Sequence, residues 1–264
     1  MKKSAGKIFT VQFIKSLFFI VLFIGIIIFC YRAIMQYYGI NDTDDTSTIS
    51  PIDNKQSTKL IASIDDVSKH LIFSVDEDTG AIKKLVLEIF NCETHRMVFI
   101  TIPIKTQFTL SDSLYHDLIL VKPSIPQFLK ISAISSYFPK EAMYEYGVLM
   151  IEDLLNIQIS YYSVVPESLY ETVFETDPMG EVFSDNFIEF LHTITTEDDL
   201  RNYLENIYTL ISSNLSLEDK FNYIESYLSD VSISFEVIAG EDSNSAYLVD
   251  ELMAAKQIED YVSE

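Results

Sequence analysis

Lys83-Lys-Leu-Val-Leu-Glu-Ile-Phe-Asn-Cys-Glu-Thr-His-Arg-Met-Val-Phe-Ile-Thr-Ile-Pro-Ile-Lys-Thr106 is the stretch that decides the fold. It reads as two strands joined by a polar turn. Leu85, Leu87 and Ile89 share one face, Val86 and Phe90 take the other, and Met97 to Ile102 is almost continuously apolar. Runs apolar on both faces belong in a sheet covered on both sides, so these strands are expected at the centre of a layered α/β domain, a mixed sheet flanked by helices on both faces. Pro103 cannot donate to a ladder and ends the second strand. The end of a central strand is a natural place for a site.

Working outward, 264 residues leave room for one ordinary domain plus an anchor, and 48% hydrophobic content supplies a sizeable core. The net charge is -22, and its distribution matters more than the sum. The segment before Asn41 carries Lys2, Lys3, Lys7, Lys15 and Arg32 and no acid, so all 40 acidic side chains and only 13 of the 18 basic ones fall beyond it. Such a surface repels nucleic acid and anionic headgroups, and no nucleic-acid partner is expected. Cys30 lies in an apolar segment and Cys92 in the central turn, so no disulfide framework can be built, as in exported proteins of many low-cysteine bacteria.

Leu17 to Cys30 is unbroken apolar sequence, and Val11 to Ile14 extends it past the single Lys15, which can snorkel. With lysines before the run and acids after it, the amino terminus is expected in the cytoplasm and the bulk of the chain outside the cell membrane. A cleaved signal peptide is the alternative, but no small-x-small site follows, and Phe29 before Cys30 spoils a lipoprotein cleavage box. The expected organisation is a cytoplasmic N-terminus over 1–10, a transmembrane anchor over 11–31, a polar extracytoplasmic linker over 32–59, an α/β domain over 60–240 and an acidic C-terminal tail over 241–264. Within the domain, Lys69 to Val75 alternates as a strand and Asp76-Glu77-Asp78-Thr79-Gly80 turns it back. That turn lacks the later ligands of a calcium loop. A helix follows Pro139 to about Leu155 with Met143, Tyr146, Met150 and Leu154 on one side, and Ile157 to Val165 returns as a strand. Thr196-x-x-Asp199 and Ser216-x-x-Asp219 announce two helices, the first striped by Leu200, Leu204, Ile207 and Ile211, before a last strand from Ser232 to Ile238.

The strand pair and its closing Thr101-Ile102-Pro103-Ile104-Lys105-Thr106 resemble the core of the LytR-CpsA-Psr family, whose matching strand ends in Ser-Ile-Pro-Arg-Asp-Thr and whose preceding strand opens with Arg-Ser-Asp-Thr. Lys130-Ile131-Ser132-Ala133 is similar to the family's Lys-Ile-Asn-Ala segment, and Ile157 to Val165 is similar to its Ile-x-Tyr-Tyr-x-Val-Val strand. The resemblance runs from about His70 to Glu175. It implies a membrane-anchored extracytoplasmic protein of the cell envelope, in a family that moves anionic glycopolymers from a polyprenyl pyrophosphate carrier to the cell wall. It also implies an apolar tunnel for the carrier chain, for which Phe128, Phe138, Tyr146 and Met150 are the candidates here, with Tyr137 and Tyr144 nearby. Asp76 falls where relatives end their first strand in Gly-Val-Asp. The charged side of each motif is lost: Ile104 and Lys105 stand for Arg-Asp, and Ala81, Ile82 and Lys83 for Arg-Ser-Asp.

Transfer from a pyrophosphate carrier needs fixed cations around the phosphates and acids for a magnesium ion. Beyond Asn41 there are two arginines, Arg96 in the turn before the central strand and Arg201 at the start of a late helix. Removing one such clamp costs about 3 kcal/mol of transition-state stabilisation. No catalytic residue and no transferase activity are therefore expected. Asp76, Lys83 and Lys105 remain as candidate substrate-binding residues, with Lys84 beside them. His70, His95, His116 and His192 show no metal-ligand spacing and read as ordinary side chains, so no metal is assigned. The expected function is a non-catalytic binding or accessory module for cell-wall glycopolymer attachment, holding a polyprenyl-linked lipid or pairing with an active paralogue. Two alternatives stay open: a divergent magnesium-dependent phosphotransferase using Asp76, Lys83 and Lys105, and a purely structural interaction domain.

Overall fold

A computed structural model describes Ala62, residues 65–173 and residues 193–263. The predicted membrane span, the linker and the segment after Val173 lie outside these residues. Among the described residues, no helix is long and apolar enough to cross a membrane.

The strands of the deciding stretch are β2 (Ile82–Asn91) and β3 (Arg96–Thr101), preceded by β1 (Val67–Val75). They form an antiparallel meander in which Leu71 faces Leu87 and Leu87 faces Ile100. The β1–β2 turn is closed by Asp76, whose Oδ1 accepts from the Thr79 amide at 2.8 Å and from the Asp78 amide at 3.2 Å, and by Gly80 at φ 70°, a conformation that favours glycine. Val75 pairs with Ile82 and Ser74 with Lys84, which leaves Lys83 as the extra residue of a bulge. The β2–β3 turn is held by Asn91, whose side-chain oxygen accepts from the Glu93 and Thr94 amides at 3.0 and 3.1 Å.

The chain then runs through β4 (Gln107–Thr109), helix α1 (Asp112–Val121), β5 (Phe128–Lys130) and the long α2 (Lys140–Leu155) to β6 (Tyr161–Pro166) and α3 (Glu167–Val173). After the undescribed segment come α4 (Glu197–Tyr208), β7 (Ser212–Ser213) and a broken helical stretch over 217–227. Next are β8 (Ser232–Val237), the hairpin β9 (Gly240–Asp242) and β10 (Tyr247–Val249), and α5 (Glu251–Val262). The main sheet has six strands in the order β7-β6-β1-β2-β3-β8, with β6 parallel to β1 and β8 parallel to β3. The sequence expectation of a central mixed sheet holds.

One face of the sheet carries Leu71, Phe73, Leu85, Leu87, Val98 and Ile100 under α1, α2 and α5. Helix α2 comes so close that a Cβ on Gly147 would stand 3.2 Å from the Phe73 ring. The other face carries Ile72, Val86, Phe90, Met97, Phe99 and Tyr161 under Tyr170 of α3 and Tyr223. The C-terminal segment corrects the expectation of an acidic tail over 241–264. β10 docks beside β4, with a bridge between Thr106 and Tyr247, while Ala254 and Ile258 of α5 are buried in the first core. Ala254, Ile258, Tyr261 and Val262 recur at helical spacing, and their burial outweighs the acids on the helix's outer side.

Candidate functional site

The three candidate binding residues lie at the sheet end where β1, β3, β6 and β8 finish and β2 begins. Each is engaged with its own neighbours. Lys83 Nζ stands 3.1 Å from Asp76 Oδ2 and 3.7 Å from Glu167 Oε2. The Thr79 amide and hydroxyl, with Lys83, hold the Asp76 carboxyl down at about 2, and Asp76 and Glu167 in turn raise Lys83. Lys105 pairs with Asp242 and donates to the Ser243 carbonyl at 3.2 Å, so it fastens the β9–β10 hairpin. Lys130 does the same at the Ser245 carbonyl, 2.8 Å away. Lys140 lies over Gly80, in a turn that itself carries Asp76, Glu77 and Asp78. Glu77 accepts from the amide and hydroxyl of Ser168 and caps α3, which lowers its carboxyl.

The arginines are committed elsewhere. Arg96 stacks over the Tyr261 ring, 4.9 Å from its centroid, at the opposite end of the sheet. Arg201 bonds Glu197 one turn back at 2.7 and 2.8 Å and covers the Phe221 ring. Where the resembling motifs have their arginines, Ala81 and Ile104 stand here, and Ile104 packs on the first core. Among the described residues, no group of three acids, histidines or cysteines is placed to hold a metal ion.

Three of the four tunnel candidates, Phe138, Tyr146 and Met150, pack in the core of the first face. Phe138 stacks on Tyr146 with ring centroids 4.3 Å apart, Met150 is fully buried there, and Phe128 on β5 is 55% exposed. None of the four lines the cavity on the opposite face of the sheet. That cavity, about 450 Å3, opens between the second face and α4. Its walls include Ile72, Val165, Leu200, Leu204, Ile207 and Leu228. The apolar stripe of α4 is thus one wall of this space.

The polar part of the cavity lining is a cluster that sequence reasoning missed. His70, Glu88 and Ser163 project from β1, β2 and β6 into the second face, and Lys220 reaches them from the stretch after Ser216. Ser216 caps that stretch by accepting from the Asp219 amide, which fixes where Lys220 points. Lys220 is 8% exposed and donates to the hydroxyls of Tyr161 at 2.7 Å and Tyr227 at 2.6 Å. Its ammonium also lies 5.0 Å from the centroids of both rings. Burial raises both phenols well above their ordinary range, so they stay protonated. Burial likewise lowers Lys220, against the pull of Glu88. Burial works to raise Glu88, but the charge of Lys220 first and the contact with His70 after it outweigh that effect, and the carboxyl stays low and ionised.

His70 is lowered by burial and is neutral. An ionised Glu88 can only accept, so the contact of His70 Nδ1 with Glu88 Oε2 at 3.4 Å assigns the ring proton to Nδ1. Nε2 then accepts from the Ser163 hydroxyl at 2.8 Å. Serine, histidine and carboxylate in this order invite comparison with a nucleophilic triad. Acyl transfer also needs donors aimed at an oxyanion. β6 lies between β1 and β7, which commits its amides to two ladders, and Lys220 is held by two tyrosines. The arrangement suits binding better than turnover.

No protein-family model and no curated protein matches the sequence. Solved structures do match its fold. TagV of Bacillus subtilis superposes with a TM-score of 0.52 at 12% identity, over 74% of this chain and 97% of that one. The protein gbs0355 of Streptococcus agalactiae gives 0.55 at 12% identity, over 75% and 88%. For ywtF of Bacillus subtilis the values are 0.50 and 14%, over 81% and 99%. The described domain has a LytR-CpsA-Psr-like fold. At these identities the likeness is one of fold, and the LytR-CpsA-Psr scaffold here carries an end of the sheet whose cations are bound to acids and carbonyls.

Proposed function

We propose that this protein is a membrane-anchored, extracytoplasmic component of the cell envelope that uses a LytR-CpsA-Psr-like scaffold without transfer chemistry, as a binding or accessory module for cell-wall glycopolymer attachment. The observation that carries the reading is the commitment of Lys83 to Asp76 and Glu167, and of Lys105 to Asp242. A diphosphate arriving at that sheet end would have to displace carboxylates already in place, and it would find Arg96 and Arg201 engaged elsewhere. The supports for the envelope setting are the fold and the apolar span over 11–31 with its lysine-rich flank.

The test is a transfer assay with full-length protein in lipid nanodiscs, a fluorescent polyprenyl diphosphate glycolipid, magnesium and a peptidoglycan acceptor. No glycopolymer transfer above the protein-free control is expected. Magnesium-dependent turnover that Lys105→Ala abolishes would overturn the reading in favour of a divergent transferase.

A further inference from the structure

We propose that the cavity beside α4 binds a neutral amphiphile whose terminal hydroxyl bridges Glu88 Oε1 and the Lys220 ammonium, its apolar body lying against the walls from the sheet and α4. The proposal does not rest on the role given to the protein above.

The first ground is an unmet acceptor. Glu88 is 8% exposed, and its Oε1 has no hydrogen-bond partner although the side chain lines the cavity. A buried carboxylate oxygen left unsatisfied is costly, so such a group asks for a donor. The second ground is a spare donor opposite it. Of the three N–H groups of Lys220, two are taken by Tyr161 and Tyr227. Nζ stands 3.9 Å from Glu88 Oε1, too far for a direct hydrogen bond. One oxygen atom placed about 2.8 Å from each would span that gap, accepting from the ammonium and donating to the carboxylate.

The third ground is charge. Glu88 and Lys220 cancel, and His70 faces the pair as a neutral ring whose two nitrogens are already matched to Glu88 and Ser163. A phosphate or carboxylate head would sit against Glu88, and an ammonium head against Lys220, each far from water. A hydroxyl satisfies both groups without adding charge. The remaining lining is mostly aliphatic and aromatic, and about 450 Å3 falls in the range of small-molecule sites. An alkyl body therefore completes the ligand.

The experiment uses full-length protein in nanodiscs and dodecyl photoprobes that carry a mid-chain diazirine and end in a primary alcohol, a phosphate or an amine. Crosslinked peptides are mapped by mass spectrometry. The alcohol probe is expected to label peptides containing Leu204, Ile207 or Leu228 about ten-fold or more above either charged probe, the factor set by one hydrogen bond to a charged group. Excess dodecan-1-ol should compete the label away. A Leu204→Trp variant, which fills the cavity, should lose the label while keeping its circular dichroism spectrum. Equal labelling by the phosphate or amine probe would overturn the proposal. So would alcohol labelling confined to other surfaces, which would leave a buried water as the bridge between Glu88 and Lys220.

Discussion

Lys220 and Glu88 define the energetics at the scale of single residues, because each is the other's reason for being charged inside the protein. Removing one partner of a buried pair strands the other, at about 3–5 kcal/mol, whereas replacing both with uncharged groups of similar size is often neutral. Lys220→Met is accordingly expected to lower unfolding stability by about that amount, and Glu88→Gln added to it should restore most of the loss. Chemical denaturation of the three variants measures this, and a double variant weaker than Lys220→Met alone would contradict the pairing. The pH dependence has a definite sign. His70 is depressed below its ordinary 6.5, so its share of stability is full above that pH and falls as acid charges the ring. Glu88 is depressed from 4.5 to about 2, and its share is lost as pH falls through that second window. A stability profile should therefore begin to decline below pH 6.5 and steepen below 4.5. His70→Gln should remove the first limb alone.

Secondary elements were legible wherever the signal was local. The period of two in β1 to β3 and the caps at Thr196 and Ser216 depend on residues within a few positions, and both caps form, each accepting from the amide three residues on. The cavity was not legible, for a physical reason. Glu88 sits between Val86 and Phe90 on a face that otherwise reads as apolar, and the partner that lets it stay there arrives from a different part of the chain. The unusual carboxylate was the available signal. The C-terminal helix is only weakly marked in the sequence for another reason, since Glu251, Glu259 and Asp260 dominate its composition and mask the stripe of Ala254, Ile258 and Tyr261. Its role is testable at the same scale. α5 covers β2 and β3, and Gln257 accepts from the Ala239 amide at 2.9 Å while donating to the Val237 carbonyl at 3.0 Å. A stop codon after Asp250 should expose the first core and yield protein without a cooperative thermal transition. A disposable tail would leave the transition unchanged.

For the molecule as a whole, two electrostatic effects compete and salt separates them. The surface ion pairs Lys83–Asp76 and Arg201–Glu197 involve partly exposed side chains, and pairs of that kind contribute little and weaken as salt rises. Against them stands the mutual repulsion of 40 acidic groups compensated by 13 basic ones beyond the first 40 residues. That repulsion acts over longer distances than a contact pair and is cut back as the Debye length shrinks from about 10 Å at 0.1 M to about 3 Å at 1 M. The buried Glu88–Lys220 pair, out of contact with the ions, is largely indifferent to both. Repulsion should win, so the melting temperature is expected to rise with sodium chloride, by about 2–4 °C for each 1 kcal/mol of repulsion relieved. A thermal melt of the full-length chain from low to high salt makes the comparison. A falling midpoint would mean that the surface pairs, Lys105 with Asp242 among them, hold the sheet end together more strongly than the acidic surface strains it.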